Sequence, residues 1–122
     1  MVLLARAYAN QGNLVEALVW CERAIEVDKV NPANHYLRAS ILQEQGRIEE
    51  AAGALRQTLF LDQDFVLGHF VMGNLARLLG QESRARRCFA NARRLLRGHS
   101  DDDILSESEG ITAGRLATII NL

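Results

Sequence analysis

Three glycines recur in this chain of 122 residues at a constant spacing of 34: Gly12, Gly46 and Gly80. Four further columns keep the same period, and each holds one kind of residue in all three copies. The small columns are Ala5, Ala39 and Gly73, then Ala17, Ala51 and Ala85, then Ala24, Thr58 and Ala92, and the apolar column is Cys21, Leu55 and Phe89. A period of this length predicts a supersecondary unit that stacks on copies of itself, because one copy alone cannot bury its apolar face.

The pattern within each copy resembles a known repeat. A small residue stands four positions before the apolar column, as in Ala51 and Leu55. With the period of 34, this arrangement resembles the tetratricopeptide repeat (TPR), a helix–turn–helix unit. The chain departs from the TPR pattern at the tryptophan column, which holds Met1, His35 and His69, and at the terminal proline, which is replaced by Lys29, Gln63 and Arg97. The resemblance implies an all-α fold with three tandem TPR repeats in a right-handed α-solenoid, followed by a short C-terminal helix.

The phase of the repeat predicts the domain organisation. We predict TPR repeats over residues 1–97, at about 1–31, 32–65 and 66–97, then an acidic linker at 98–110 and a C-terminal helix at 111–121. No segment alternates with period two for long enough to predict a strand. Met1 falls at the fourth position of the first repeat, and natural arrays tend to begin with a capping element. We therefore expect a further region upstream in the natural protein.

Glycines and polar residues predict where the helices begin and end. Each periodic glycine is expected just after the first helix of its repeat, where a left-handed backbone favours a residue without a Cβ. Asn13 is the expected N-cap of the second helix, with Glu16 in capping-box spacing. Asn31 precedes a proline at the first helical position of the third helix. Thr112 is the expected N-cap of the C-terminal helix.

Charge is distributed unevenly, although the net charge is only −1. Residues 77–97 carry seven arginines and one glutamate, whereas residues 98–122 carry five acidic residues and one arginine. Five of the arginines fall on one face of the last repeat helix at helical spacing. This arginine face consists of Arg86, Arg87, Arg93, Arg94 and Arg97.

Three interpretations of the arginine face stay open from the sequence. The face is a solvated outer surface, or it pairs with Asp101, Asp102 and Asp103 of the tail, or it binds an acidic partner, nucleic acid or an anionic membrane. The isoelectric point of 6.3 and the lack of interleaved exposed aromatic residues argue against nucleic acid. We predict a protein or peptide partner, with no nucleic acid and no membrane insertion.

A binding groove is expected on the first helix of each repeat, by resemblance to peptide-binding TPR proteins. Its predicted residues are Arg6, Asn10, Tyr36, Ser40, Gln43, Phe70, Asn74 and Arg77. They combine aromatic and hydrogen-bonding groups, which suits a polypeptide ligand. The carboxylate clamp of chaperone-binding TPR proteins is not matched, since Val2, Ser40 and Phe70 stand where lysines and asparagines are expected. The alternative is that the predicted residues contact only the next unit or the C-terminal helix.

Apolar residues in the tail predict that the C-terminal helix docks. Ile111, Leu116, Ile119 and Ile120 cluster on one side of it. Burying such side chains contributes about 1.5–3 kcal/mol each, whereas exposed ion pairs contribute roughly 0–1 kcal/mol. We expect the helix to cover the end of the third repeat, or to enter the groove of a neighbouring chain and so mediate self-association.

The same tail carries a second resemblance. Residues 108–116 read Ser-Glu-Gly-Ile-Thr-Ala-Gly-Arg-Leu and look like the closing segment of TPR-bearing CheR-type chemotaxis receptor methyltransferases. That resemblance implies a regulatory or targeting module attached to an upstream enzyme that transfers methyl groups from S-adenosylmethionine to receptor glutamates. Chemoreceptors or signalling proteins are the implied partners. The alternative is a scaffold TPR domain from an unrelated multidomain protein.

The chain itself offers no catalytic motif. It has no glycine-rich phosphate loop and no nucleophile motif, and we predict neither catalysis nor a cofactor in this chain. His35 and His69 occupy equivalent positions of two repeats, which favours packing over metal binding. Cys21 and Cys88 fit neither a disulfide framework nor a zinc site, so a cytoplasmic protein is expected.

Overall fold

The computed structural model describes residues 1–108 and 110–121, and within them the chain forms seven α-helices. The helices are α1 (Val2–Asn10), α2 (Leu14–Val27), α3 (Pro32–Glu44), α4 (Ile48–Leu61), α5 (Val66–Leu78), α6 (Glu82–Leu96) and α7 (Ala113–Ile120). The only β-type pairing among the described residues is an isolated bridge between Ile104 and Thr112. The predicted all-α TPR fold is confirmed.

Side-chain caps begin three of the helices as predicted. The Asn13 side chain accepts a hydrogen bond of 3.3 Å from the Glu16 N–H at the start of α2. Asn31 accepts one of 3.0 Å from the Ala33 N–H, with Pro32 as the first residue of α3. Thr112 accepts one of 3.2 Å from the Arg115 N–H at the start of α7. Each cap satisfies a backbone donor that has no partner within its helix.

The periodic glycines end the first helix of each repeat in the same way. Gly12, Gly46 and Gly80 have φ of +79°, +78° and +76°. The residue after each glycine donates its N–H back into the last turn, as Arg47 does to the Leu42 carbonyl at 2.9 Å. A Cβ at any of the three positions would meet no atom within 4 Å. The left-handed backbone, and not a lack of space, therefore requires glycine here.

Replacing either of two glycines in the same helical hairpin with alanine should change the free energy of unfolding, but in opposite directions. Gly46→Ala forces a Cβ into the left-handed region, which costs roughly 1–2 kcal/mol. Gly53 lies inside α4, where a Cβ would approach only Arg56 Nη2, at 3.5 Å. We expect Gly53→Ala to stabilise the chain by about 0.5–1 kcal/mol through helix propensity. Urea unfolding followed by circular dichroism would measure both changes, and equal effects would contradict the assigned cause.

The chain divides into two compact units, Met1–Gln63 and Asp64–Leu122. The first unit contains α1 to α4, in which α1 packs on α2, α2 on α3 and α3 on α4. One buried cluster in it consists of Ala5, Ala17, Cys21 and Ile41. The second unit contains α5 to α7, and both α5 and α7 pack against α6.

Two of the periodic columns are in close contact in the third repeat. The small column holds Gly73 there, and the apolar column holds Phe89. A Cβ built on Gly73 would lie 2.7 Å from Phe89 Cε1, closer than real Cβ atoms approach other atoms. The second repeat has Ala39 and Leu55 at the same positions. Phe89, the largest residue of the apolar column, therefore packs against Gly73, the smallest residue of the small column.

The segment predicted as an acidic linker, residues 98–110, is a folded loop wherever the structure describes it. Leu105 is buried, and its N–H donates to the Ile111 carbonyl at 2.9 Å. Ser108 is also buried, and its Oγ accepts the Ile111 N–H at 3.0 Å and lies 2.6 Å from the Leu105 carbonyl. Gly110 adopts a φ of +98° within the same turn. Local hydrogen bonds and one apolar anchor hold this loop.

The loop also fixes the start of α7. The N–H groups of Ala113 and Gly114 donate to the carbonyls of Asp103 and Asp101, at 2.7 and 3.0 Å. A Cβ on Gly114 would lie 2.9 Å from Asp101 Cβ and 3.1 Å from its carbonyl oxygen. The small and polar residues of segment 108–116, on which the CheR-type resemblance rests, thus shape the approach to α7. Glu109, which belongs to that segment, lies outside the described residues.

Candidate functional site

A cavity of about 520 Å³ lies within the second unit, where three helices meet. Its lining residues are Phe70, Asn74 and Arg77 of α5, Arg86, Phe89 and Arg93 of α6, and Ile119 and Ile120 of α7. Its volume falls within the range of roughly 300–1,000 Å³ that is usual for ligand-binding clefts. Apolar side chains and positive charges therefore share one opening.

The spacing along α5 and α6 explains why these residues converge. Residues three, four and seven positions apart lie on one face of a helix. Phe70, Asn74 and Arg77 follow that spacing on α5. Arg86, Phe89 and Arg93 follow it on α6, so the Phe89 ring lies between two arginines along the axis of α6.

Two aromatic rings and a guanidinium form the contacts inside the cavity. The ring centroids of Phe70 and Phe89 are 5.9 Å apart at an interplanar angle of 55°. The Arg77 guanidinium lies over the Phe89 ring, 5.1 Å from its centroid. Arg77 also binds both carboxylate oxygens of Glu82, at 3.1 and 3.3 Å. Because this ion pair is more than half exposed, it orients Arg77 more than it stabilises the fold.

The apolar residues of α7 have two different environments in the structure. Leu116 is 1% exposed, and Ala113 is also buried. Ile119 is 39% exposed and lines the cavity together with Ile120. The sequence predicted that Leu116, Ile119 and Ile120 would all serve docking. In the structure the last turn of α7 instead presents apolar surface to the cavity.

The predicted groove residues have different outcomes in the two units. Phe70, Asn74 and Arg77 are brought together in the cavity. In the first unit, Arg6 and Asn10 lie on α1, and Tyr36, Ser40 and Gln43 lie on α3. The Ser40 hydroxyl donates to the Tyr36 carbonyl at 3.1 Å, so it serves its own helix. The assignment of these five residues to a groove stays a prediction.

The arginine face of α6 is exposed along its whole length, and two of its members face the cavity. Arg86 and Arg93 line it, whereas Arg87, Arg94 and Arg97 are not among its lining residues. Within residues 1–108 and 110–121, neither Arg86 nor Arg93 has a carboxylate partner, in contrast to Arg77. Two positive charges of the cavity are therefore available to a ligand.

Of the three interpretations of the arginine face, pairing with the acidic tail does not hold for Asp103. Its carboxylate accepts hydrogen bonds from the Ser100 N–H at 2.9 Å and the Ser100 hydroxyl at 3.0 Å, and it lies 3.5 Å from His99 Nδ1. The backbone hydrogen bond from Ser100, followed by its hydroxyl, lowers the pKa of Asp103. In the described part of the tail, Asp101 and Asp102 form no ion pair with Arg94 or Arg97. Near neighbours satisfy the Asp103 carboxylate without the entropy cost of closing a longer loop.

His35 and the two cysteines have surroundings typical of structural residues. His35 Nε2 lies 2.8 Å from the Lys29 carbonyl, which ties the start of α3 to the preceding turn. Burial raises the pKa of the Cys21 thiol to about 11, and burial also raises the pKa of Cys88. Both shifts disfavour the reactive thiolate. No group of three metal-ligating side chains occurs among the described residues.

Three of the cavity residues were not predicted as site residues. The sequence placed Phe89 in the periodic apolar column, whose residues are expected to pack between stacked repeats, and it assigned Ile119 and Ile120 to docking of α7. The available signal was the helical spacing of Phe89 between Arg86 and Arg93, an aromatic residue flanked by charges on one face.

None of the described helices has the length and apolar content to cross a membrane.

The comparisons with known proteins agree with the repeat and the fold. Residues 1–35 match the family model of the tetratricopeptide repeat. The chain is 35% identical over 78 residues to the TPR repeat-containing thioredoxin TTL4 of Arabidopsis thaliana, a match that covers 64% of this chain and 11% of that protein. The chain thus spans about one tenth of the length of this relative.

Solved structures show the same fold at low identity. The Yersinia enterocolitica type III secretion translocator chaperone SycD aligns with a TM-score of 0.82 and 14% identity, covering 98% of this chain and 83% of that chain. The second TPR of Spaghetti (RPAP3), bound to an HSP90 peptide, aligns with a TM-score of 0.72 and 22% identity, covering 75% of this chain and 84% of that chain. The chain therefore has the tetratricopeptide repeat fold, and residues 1–35 match the repeat itself. Folds built from such stacked repeats bind other chains on extended surfaces.

Proposed function

We propose that this chain is a non-catalytic module that captures a polypeptide segment of another protein in the cavity of its second unit. The observation that carries the proposal is the convergence of Phe70, Asn74 and Arg77 of α5 with residues of α6 and α7 around one opening. An apolar pocket with a few polar groups is typical of peptide-recognition sites, since the apolar surface provides affinity and the polar groups fix the orientation of the ligand. RPAP3, which shares the fold, was solved with a peptide bound.

Asn74 and Arg77 provide the direct test of this site. Asn74 is partly exposed, and among the described residues its amide has no hydrogen-bond partner, so it is available to a ligand backbone. We expect peptides selected from a phage-displayed random library to bind the intact chain and to bind Asn74→Ala/Arg77→Ala at least about tenfold more weakly. Isothermal titration calorimetry would measure this difference.

The matched control replaces Arg87, a charged residue of α6 outside the cavity lining. Arg87→Ala should keep the affinity of the intact chain within about threefold, since exposed charges away from a site contribute little. Circular dichroism should show equal helicity for all variants. Equal peptide affinity of the intact chain and the double variant would remove the site assignment, and failure to select any peptide would remove the proposed function.

We further propose that the parent protein is a CheR-type chemotaxis receptor glutamate methyltransferase, with this chain as its C-terminal targeting part. This finer proposal is supported by the resemblance of residues 108–116. It places the cofactor S-adenosylmethionine in an upstream domain, makes chemoreceptors or signalling proteins the partners, and sets the protein in the cytoplasm. Reading the coding sequence upstream of Met1 tests it, because a different upstream domain would refute it.

A scaffold TPR domain of another multidomain protein is the second candidate. It is favoured by the match to TTL4, a thioredoxin in which the aligned repeats make up 11% of the chain. The upstream sequence separates the two candidates. The proposed peptide site is compatible with both candidates, because all of its residues lie within the second unit of this chain.

A further inference from the structure

We infer that the cavity selects an acidic segment of its partner, one that inserts an apolar side chain and carries carboxylates on both sides of it. This inference rests on the proposed function and specifies the chemistry of its ligand. Its basis is the order of side chains along α6, where Phe89 lies between Arg86 and Arg93.

The apolar part of the ligand is indicated by four side chains around the opening. Phe70 and Phe89 form a tilted aromatic pair, and Ile119 and Ile120 approach from α7. Ile119 remains 39% exposed, so it has apolar surface left to bury. An inserted apolar group would remove that surface and part of the two rings from water, which is the main favourable term in association.

The acidic part of the ligand is indicated by the positive charges of the cavity. Three guanidinium groups line it, and no acidic side chain lines it within residues 1–108 and 110–121. Arg77 is satisfied by Glu82, whereas Arg86 and Arg93 have no carboxylate partner among the described residues. Their seven-residue separation places their Cα atoms roughly 10 Å apart along α6. Carboxylates on both sides of the inserted group would reach both guanidiniums, and such charge-assisted hydrogen bonds are strong.

The other occupants of this cavity are less well matched. In the described tail, the Asp103 carboxylate is already bound by Ser100, and the Gly114 N–H holds the backbone of Asp101 beside the start of α7. Nucleic acid or an anionic membrane would use the whole arginine face and would not distinguish Arg86 and Arg93 from Arg87 and Arg94.

That distinction provides a matched pair of variants. Arg86→Ala/Arg93→Ala removes two charges at the cavity, and Arg87→Ala/Arg94→Ala removes two charges from the same helix outside its lining. The probe is a synthetic peptide, blocked at both ends, with a central phenylalanine flanked by glutamates. We expect the first variant to bind it at least about tenfold more weakly, and the second to lose less than about threefold, in fluorescence anisotropy at low salt. Thermal unfolding of both variants should match the intact chain.

Two altered peptides complete the experiment. Replacing the glutamates with glutamines should weaken binding by about tenfold or more, and replacing the phenylalanine with alanine should do the same. Equal binding of the glutamine peptide would overturn the inference of an acidic ligand while leaving the proposed peptide site intact. Equal losses for the two arginine pairs would also overturn it, since they would indicate binding by general positive charge. Sedimentation showing that the chain dimerises through this cavity, and that the peptide competes with the dimer, would assign the cavity to a second copy instead.

Discussion

Replacing Gly73 with alanine should destabilise the second unit by about 1–3 kcal/mol, the usual effect of overpacking a filled site. The added Cβ would lie 2.7 to 2.9 Å from three atoms of the Phe89 ring. A phenylalanine side chain has only two rotatable bonds, so the ring or the helix backbone must move. Urea unfolding monitored by circular dichroism would measure the change in the free energy of unfolding.

The second repeat provides the control for this effect. Phe89→Leu in the Gly73→Ala background recreates the pair Ala39 and Leu55 of the second repeat. We expect this double variant to be more stable than Gly73→Ala alone, although Phe89→Leu alone should destabilise by roughly 1 kcal/mol through lost packing. The sign of this coupling identifies the contact between the two side chains. A Gly73→Ala chain as stable as the original would contradict the predicted clash.

Leu116→Ala should release α7 from the rest of the second unit. Leu116 is 1% exposed, and replacing a buried leucine with alanine costs about 2–5 kcal/mol. Because α7 has only eight residues, it cannot remain helical in water without its packing partner. We therefore expect rapid amide hydrogen exchange and proteolytic cleavage in residues 113–120, and a lower thermal unfolding temperature. Deletion of residues 104–122 should lower that temperature as well.

Ile119→Ala is the matched control for Leu116→Ala. Both substitutions remove a large apolar side chain from α7, but Ile119 is 39% exposed and lines the cavity. We expect it to cost less than about 1 kcal/mol of stability and to weaken peptide binding. If Ile119→Ala released α7 and Leu116→Ala did not, the described packing of α7 would be wrong.

Local features of this molecule could be predicted from the sequence because neighbouring residues create them. A glycine at a helix end, Asn13 and Asn31 as caps, and Thr112 before α7 each satisfy backbone groups within a few positions. The partner of Asp103 was left open by the sequence, which allowed pairing with a distant arginine. In the structure Ser100, which is closer along the chain, satisfies the carboxylate.

The cavity could be predicted only in part. Phe70, Asn74 and Arg77 were identified through the resemblance to peptide-binding TPR proteins, in which the first helix of each repeat lines the groove. Phe89 has the periodicity of a packing residue, and nothing in the sequence shows that its ring also borders an opening. Ile119 and Leu116 belong to the same apolar stripe, and only the packing against α6 determines which of them is buried.

The 34-residue period by itself determined the repeat, the helix pairs and the glycine that ends each first helix, because these features depend on backbone geometry and on contacts that every copy repeats. Tertiary structure alone decided that α5, α6 and α7 meet around one cavity, and that Arg86 and Arg93 face it while Arg87 and Arg94 do not. The physical reason is that periodicity specifies which face a side chain occupies on its own helix. The position of that face relative to other helices depends on how side chains of different sizes pack, as Gly73 and Phe89 show.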